Sequence, residues 1–292
     1  MNKQSNIIEI QKSQSCHPQD GELLFDERLL HSGIMGAVCG DIIGLPYELR
    51  ADRTKDYQFE MKFQDFSDDT ILTIAIAEWL AGERSPERLK NSLLKYAIRF
   101  LHKNVWGRGF KSWVDSGGTL DSSGVTSNGA AMRVAAIGYA AETEEEVMRL
   151  ADMSARITHN SDEASRGAQA VSLAVFMARK GYDKSTMLTT IENRFGYDLH
   201  RRIEDIRDGY SFQIDCDKCV PESIICYLQS NTYEQAVRNA VSLGGDADTM
   251  AAIASAIAAA TPGMEIPRSI ALPCFAMLPE DFKEILINHQ IN

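Results

Sequence analysis

The stretch SLGGDADTMAAIASAIAAA, residues 242–260, constrains the fold more than any other. Its run of alanine with Ile and Met reads as a buried helix, alanine being the best helix former. Yet two carboxylates, Asp246 and Asp248, and the hydroxyl of Thr249 stand at its mouth. The arrangement occurs once more, far upstream. In FSDDTILTIAIAEWLAG, Asp68, Asp69 and Thr70 precede another apolar helix. One cap residue would serve each helix start. Two carboxylates in each of two clusters would repel one another if buried together, so something positive should hold them.

The available ligand atoms are all oxygen, which points to a hard cation: Mg²⁺, Mn²⁺ or Ca²⁺. Four carboxylates with neighbouring hydroxyls could hold two such ions. Zinc is disfavoured, because no Cys/His ligand spacing accompanies the clusters.

The rest of the composition narrows the class. A chain of 292 residues with 44% hydrophobic and 24% charged residues is that of a soluble globular protein, of one large domain or two ordinary ones. The net charge of −11, without a basic patch, disfavours nucleic-acid binding. Six cysteines are too sparse for a disulfide framework. CDKC, from Cys216 to Cys219, has zinc-knuckle spacing but no second half, so free thiols in a reducing compartment are expected, with a disulfide or partial metal site as the alternative. The N-terminus has no signal-peptide core, and no apolar run reaches the length of a membrane span. A cytoplasmic protein is the expectation.

Residues 1–22 are polar, with one apolar knot, IIEI. A flexible tail is the simpler reading and a partner-docking arm the alternative. The domain proper is expected over residues 23–292 and is helical nearly throughout. Residues 71–80, 86–102, 129–141, 144–157, 162–180 and 233–241 carry helical periodicity, with Ser85 capping the second of these and Pro86 in its first turn. Gly36, Gly40 and Gly44 recur every fourth residue, a ridge that suits a helix packed against another backbone. Residues 107–127, rich in Gly and Ser, read as a long irregular loop of the kind that often carries function.

Three further motifs bear on the site. GDIIGLPYE sets Asp41 and Glu48 on either side of a Gly-Leu-Pro turn. Asp41 reads as a polar position near a helix end, and Glu48 either as a surface residue or as part of the cluster's mouth. In SNGAAMR, Asn128 and Gly129 read as a turn into a helix, where free N–H groups can bind phosphate. In THNSDEASRGA, His159 sits between two helices.

GDIIGLPYE, SDDT, SNGAAMR, THNSDEASRGA and LGGDADTMAAIASAI, in this order, resemble the ADP-ribosylglycohydrolase family, which includes dinitrogenase reductase-activating glycohydrolases and ADP-ribosylarginine hydrolases. The resemblance covers roughly residues 32–263. It implies an all-α, compact single-domain bundle with a cleft for two divalent cations, Mg²⁺ or Mn²⁺. It implies metal ligation by Ser67, Asp68, Asp69, Asp246, Asp248 and Thr249, with serine at Ser67 where the family more often has threonine. Glu48 and Asp69 would be catalytic. Gly124, Val125, Thr126, Asn128 and Gly129 would form a loop for the diphosphate, and His159 would line the ADP-ribose cleft.

The implied reaction is hydrolysis of the bond between the anomeric carbon of ADP-ribose and a protein side chain, arginine first. Positive charge builds on the ribose ring as that bond breaks. A carboxylate must handle protons; Glu48 is the first choice, with Asp115 and Asp121 as lesser candidates for protonating the leaving group. The partner would be an ADP-ribosylated protein. The extension 1–22 could dock on an ADP-ribosyltransferase toxin, which would make the chain an immunity protein that both blocks and reverses. The alternatives are a two-metal hydrolase of another phosphate or ADP-ribosyl small molecule, and a non-catalytic binding protein.

Overall fold

Glycines four apart share one face of a helix, and without side chains that face can press against another backbone. This contact forms the centre of the fold. The computed structural model describes residues 24–48 and 56–288; the extension 1–22 lies outside the described residues. Among the described residues the α-helices are α1 (Gly33–Gly44), α2 (Asp68–Leu80), α3 (Pro86–Arg99), α4 (Arg108–Asp115), α5 (Ala135–Ala140), α6 (Glu144–Arg156) and α7 (Asp162–Arg179). They continue with α8 (Lys184–Phe195), α9 (Ile203–Gly209), α10 (Cys216–Leu228), α11 (Tyr233–Val241), α12 (Ala247–Ala260), α13 (Arg268–Ala276) and α14 (Glu280–Asn288). No strand forms among them, so the all-α expectation holds.

The glycine ridge of α1 lies on the alanine-rich α12. A β-carbon on Gly40 would come 2.4 Å from the carbonyl oxygen of Ala251, and one on Gly44 would come 2.4 Å from that of Ala247. Gly33 faces Ala256 and Gly36 faces Ser255, so the two helices run antiparallel. Ser255 Oγ locks the pair by donating to the Gly36 carbonyl at 2.7 Å. Every residue of both helices is buried. The remaining helices wrap this pair. Amphipathic α6 and α11 bury one face each, with Val147, Leu150 and Ala151 inward on α6.

Two expectations are corrected. Residues 107–127 are not irregular throughout. They begin with α4, whose Phe110, Trp113 and Val114 are buried at helical spacing, a pattern hidden by the surrounding Gly and Ser. Residues 129–141 are not one helix. A 3-10 turn, Asn128–Ala130, comes first, and α5 starts only at Ala135. The Asn128 amide donates to the Ile214 carbonyl at 2.6 Å, which ties the turn to a neighbouring segment rather than to a helix. Ser85 caps α3 as expected, accepting from the Arg88 amide.

Cys39, Cys216, Cys219, Cys226 and Cys274 are free thiols, all buried, and CDKC opens α10. No helix among the described residues is long and apolar enough to cross a membrane.

Candidate active site

Because α1 and α12 are antiparallel, the end of α1 meets the start of α12. Gly44 touches Ala247 and Asp248, and Glu48 follows one 3-10 turn later, after Leu45–Tyr47. The chain therefore delivers Glu48 to the acidic mouth of α12. One carboxylate oxygen from each of Glu48, Asp246 and Asp248 lies within 4.8 Å of the other two. Asp246 stands at the cap position of α12 without making a cap bond; its Oδ2 instead accepts from Asn128 Nδ2 at 2.7 Å. Asp248 Oδ1 accepts from the Thr249 amide at 2.9 Å.

The second acidic cluster arrives through α2. Ser67, not an aspartate, caps that helix: its Oγ accepts from the Asp69 amide at 3.1 Å. The same hydroxyl donates to Asp69 Oδ2 at 3.3 Å, while Asp69 Oδ1 is buried with no hydrogen-bond partner among the described residues. The register of α2 comes from Asp41, in the last turn of α1. Its Oδ2 accepts from the amides of Ser67 at 3.0 Å and Thr70 at 3.1 Å, and from the Thr70 hydroxyl. Two helix N-termini thus point their carboxylates into one place, where the helix dipoles favour negative charge.

That place is a cleft of about 770 Å³. Glu48, Asp68, Asp69, Asp246, Asp248 and Thr249 line it, and Trp106, Phe110, Phe212 and Ile214 add an apolar rim. Ser67 sits beneath Asp69 and does not line the cleft. Burial, then the charge of Asp248, pushes Glu48 and Asp41 up to about 7. The same two causes hold Asp68, Asp69 and Asp246 well above the usual carboxylate range. Six carboxyl groups this close cannot all ionise without a counter-charge. Hard oxygen ligands, one with an unused buried lone pair, suit a divalent cation such as Mg²⁺ or Mn²⁺.

The loop expected to hold a diphosphate also lines the cleft: Gly124, Val125, Thr126, Asn128 and Gly129 all face it. It is clamped on both sides. Gly124 donates to the Asn160 carbonyl and Cys216 to that of Thr126, while Thr126 Oγ1 donates to Asp215 at 3.0 Å. The amides of Gly124, Val125 and Asn128 are used within the protein, and those of Thr126, Ser127 and Gly129 donate to nothing among the described residues. The loop is not followed by a long helix, so the expected helix N-terminus is replaced by these separate amides.

His159 lines the same wall, buried, with Nδ1 2.7 Å from the Thr158 hydroxyl. Burial, then the charge of Arg133, lowers its pKa to about 3, so the ring is neutral. Asp115 and Asp121 are elsewhere. Asp115 pairs with Lys111 on the surface. Asp121 is exposed, and hydrogen bonds from Ser123 hold it below the usual carboxylate range. A carboxylate so held is a poor acid, and neither residue lines the cleft. Both lesser candidates for protonating a leaving group are therefore dropped.

Two buried residues have roles that the sequence does not show. Asp41 lies in the last turn of α1, near the helix end as expected, but its bonds to Ser67 and Thr70 of α2 depend on a segment distant in sequence. Arg133, alone within AAMRVAA, is fully buried; burial lowers its pKa to about 10, and the charge of Asp68 works against that shift.

The sequence profile of the ADP-ribosylglycohydrolase family matches residues 25–286. ADP-ribosylhydrolase ARH3 of Bos taurus is 25% identical over 320 aligned positions, covering 82% of this chain and 87% of that protein. An uncharacterized protein of Archaeoglobus fulgidus is 27% identical, covering 82% of this chain and 90% of its own. In fold, the chain is similar to a solved structure described as an ADP-ribosylglycohydrolase-related protein complex, with a TM-score of 0.68, 21% identity, and coverage of 90% of this chain and 98% of that one.

Proposed function

The chain belongs to the ADP-ribosylglycohydrolase family, and on that premise we propose that it releases ADP-ribose from modified protein side chains with the help of bound divalent cations. The observation that carries this reading is the meeting of Glu48, Asp246 and Asp248 in a cleft that also holds Asp68 and the unpartnered oxygen of Asp69.

Asp68, Asp69, Asp246, Asp248 and Thr249 would hold the cations, with Ser67 fixing Asp69 from below. The chemistry such ions supply is positive charge that orients sugar hydroxyls and makes a water more acidic. The protein's own groups do the rest. The amides of Thr126, Ser127 and Gly129, which make no hydrogen bond among the described residues, would take anionic oxygens of a diphosphate, and the clamps on both sides hold the loop in place. The apolar rim excludes water from the ring that develops positive charge, and the acidic floor faces it. Glu48, with its proton held up to about 7, would take a proton from the attacking water or give one to the leaving group. Arginine is the first acceptor to assay and serine the second.

Hydrolysis of an arginine-ADP-ribosylated protein with Mg²⁺, and again with EDTA, tests the proposal. Metal-dependent release of free ADP-ribose supports it. Release of AMP or phosphate instead would make the chain a different two-metal hydrolase. No release from arginine, serine or small ADP-ribosyl compounds would leave a binding protein. Docking of residues 1–22 on an ADP-ribosyltransferase toxin is a separate proposal. Unchanged binding to candidate transferases after deletion of those residues would end it.

A further inference from the structure

The hydrogen bonds around His159 have a direction. Arg133 Nη2 donates to the Ser154 carbonyl at 2.7 Å and to the Thr158 hydroxyl at 2.7 Å. A guanidinium can only donate, so Thr158 Oγ1 accepts there. The same hydroxyl lies 2.7 Å from His159 Nδ1 and makes no other hydrogen bond among the described residues. All three side chains are buried. Thr158 has one hydroxyl hydrogen to place. If His159 Nδ1 carried the ring proton, the hydroxyl would accept twice and its own hydrogen would be left without an acceptor in the interior, a costly arrangement. If Nδ1 is bare, the hydroxyl and the ring nitrogen are both satisfied: Arg133 Nη2 donates to Thr158, and Thr158 donates to Nδ1.

We propose that Arg133 and Thr158 are positioning residues that lock His159 as its Nε2–H tautomer and present that N–H to the cleft as a fixed donor. The other edge of the ring fits this. A β-carbon on Gly129 would lie 3.0 Å from His159 Nε2 and 3.2 Å from its Cε1, so the bare backbone of Gly129 leaves that edge open. Gly129 and His159 both line the cleft. The ring remains neutral, as burial and the Arg133 charge require, so it has one proton and the chain of bonds decides which nitrogen bears it. A donor fixed in this way selects an oxygen acceptor, a phosphate or ribose oxygen. That part rests on the ADP-ribose reading above, whereas the tautomer lock does not.

The lock is tested on the ligand-free full chain, with histidine ¹⁵N-labelled and the His159 signals assigned through His159→Gln. The expected spectrum shows a bare Nδ1 and a protonated Nε2, unchanged from mildly acidic to mildly alkaline pH. Thr158→Ser keeps the hydroxyl and the signature. Thr158→Val keeps the shape, loses the hydroxyl and gives a tautomer mixture. Binding of ADP-ribose itself is measured on the same proteins: it weakens about five- to tenfold in Thr158→Val and by less than about twofold in Thr158→Ser, as expected for one neutral hydrogen bond. A wild-type ring protonated on Nδ1, or free to titrate near neutrality, overturns the proposal without recourse to any variant. So does a folded Thr158→Val protein with wild-type tautomer and affinity. If the lock is present and breaks in Thr158→Val, while ADP-ribose binds none of the proteins, the lock stands and the substrate reading falls.

Discussion

The carboxylate of Asp41 accepts from both the amide and the hydroxyl of Thr70, so the last turn of α1 holds the first turn of α2. It also accepts from the Ser67 amide, the residue that caps α2 and steadies Asp69. Asp41 therefore acts on the cleft through its neighbours. Asp41→Asn keeps the size but replaces one acceptor oxygen with a donor facing other donors. It should reduce metal affinity and turnover by about 10–100-fold, as removal of a group that orients metal ligands does. It should also cost about 1–3 kcal/mol of stability, read from denaturant unfolding. Full activity at ordinary metal concentration would show that α2 keeps its register without this carboxylate.

Asp69→Ala and Asp246→Ala separate ligation from folding. Each should lower metal-dependent release of ADP-ribose by roughly a hundredfold or more while leaving the helical circular dichroism unchanged. Without metal the two should differ. Among the described residues Asp69 Oδ1 has no donor to lose and Oδ2 only the long 3.3 Å bond from Ser67 Oγ, so in Asp69→Ala the relief of repulsion should outweigh that loss and the variant should melt no lower than the wild type. Asp246→Ala removes the acceptor of Asn128 Nδ2 and should melt lower. Undiminished turnover in either variant removes that residue from the metal assignment.

Stability should depend on pH differently with and without metal. Glu48 and Asp41 hold their protons up to about 7 in the fold, whereas the unfolded chain releases its carboxyl protons near 4. Between those values the folded state binds more protons, so stability falls as pH rises through the window and is lowest above about 7. The Tm of protein stripped with EDTA should drop from about pH 5 to about pH 8. Saturating Mg²⁺ should flatten or reverse that slope, because a cation binds best where the protons have left. Equal slopes in EDTA and Mg²⁺ would mean that no ion binds these carboxylates.

The contact between α1 and α12 makes a prediction about the fold alone. Gly40→Ala would put a methyl group 2.4 Å from the Ala251 carbonyl oxygen, against backbone that cannot rotate away. The helices would have to part, at a cost of about 1–3 kcal/mol or more. The mouth of α12 would move away from Glu48, so metal affinity should fall along with stability. Gly109→Ala, where nothing lies within 4 Å, is the control and should be neutral or slightly stabilising. Equal melting of the two variants would contradict the close approach.

Much of this protein was legible in its residues. The alanine run of α12, the glycine spacing of α1, the bounds of α11 and the cap at Ser85 all follow from local periodicity and local hydrogen bonding. The paired aspartates pointed to an acidic cluster that could hold a cation for the same reason: carboxylate chemistry is a property of the residue. What the residues did not determine is which helix ends meet. Glu48 joins Asp246 and Asp248 because α1 and α12 are antiparallel in one register, and that register depends on a surface contributed by both helices. Asp41 is the helix-end polar group its position suggests, but the partners it holds on α2 come only with the tertiary structure. The sequence assigns Arg133 no role, and its part in holding Thr158 and His159 comes only with the tertiary structure. Helix α4 was hidden because its three buried side chains are few among glycines and serines, and only the core they pack against makes them a face. Periodicity along the chain sets what each segment can become. Contacts between segments far apart in sequence set what each side chain faces, and those are decided only when the tertiary structure closes.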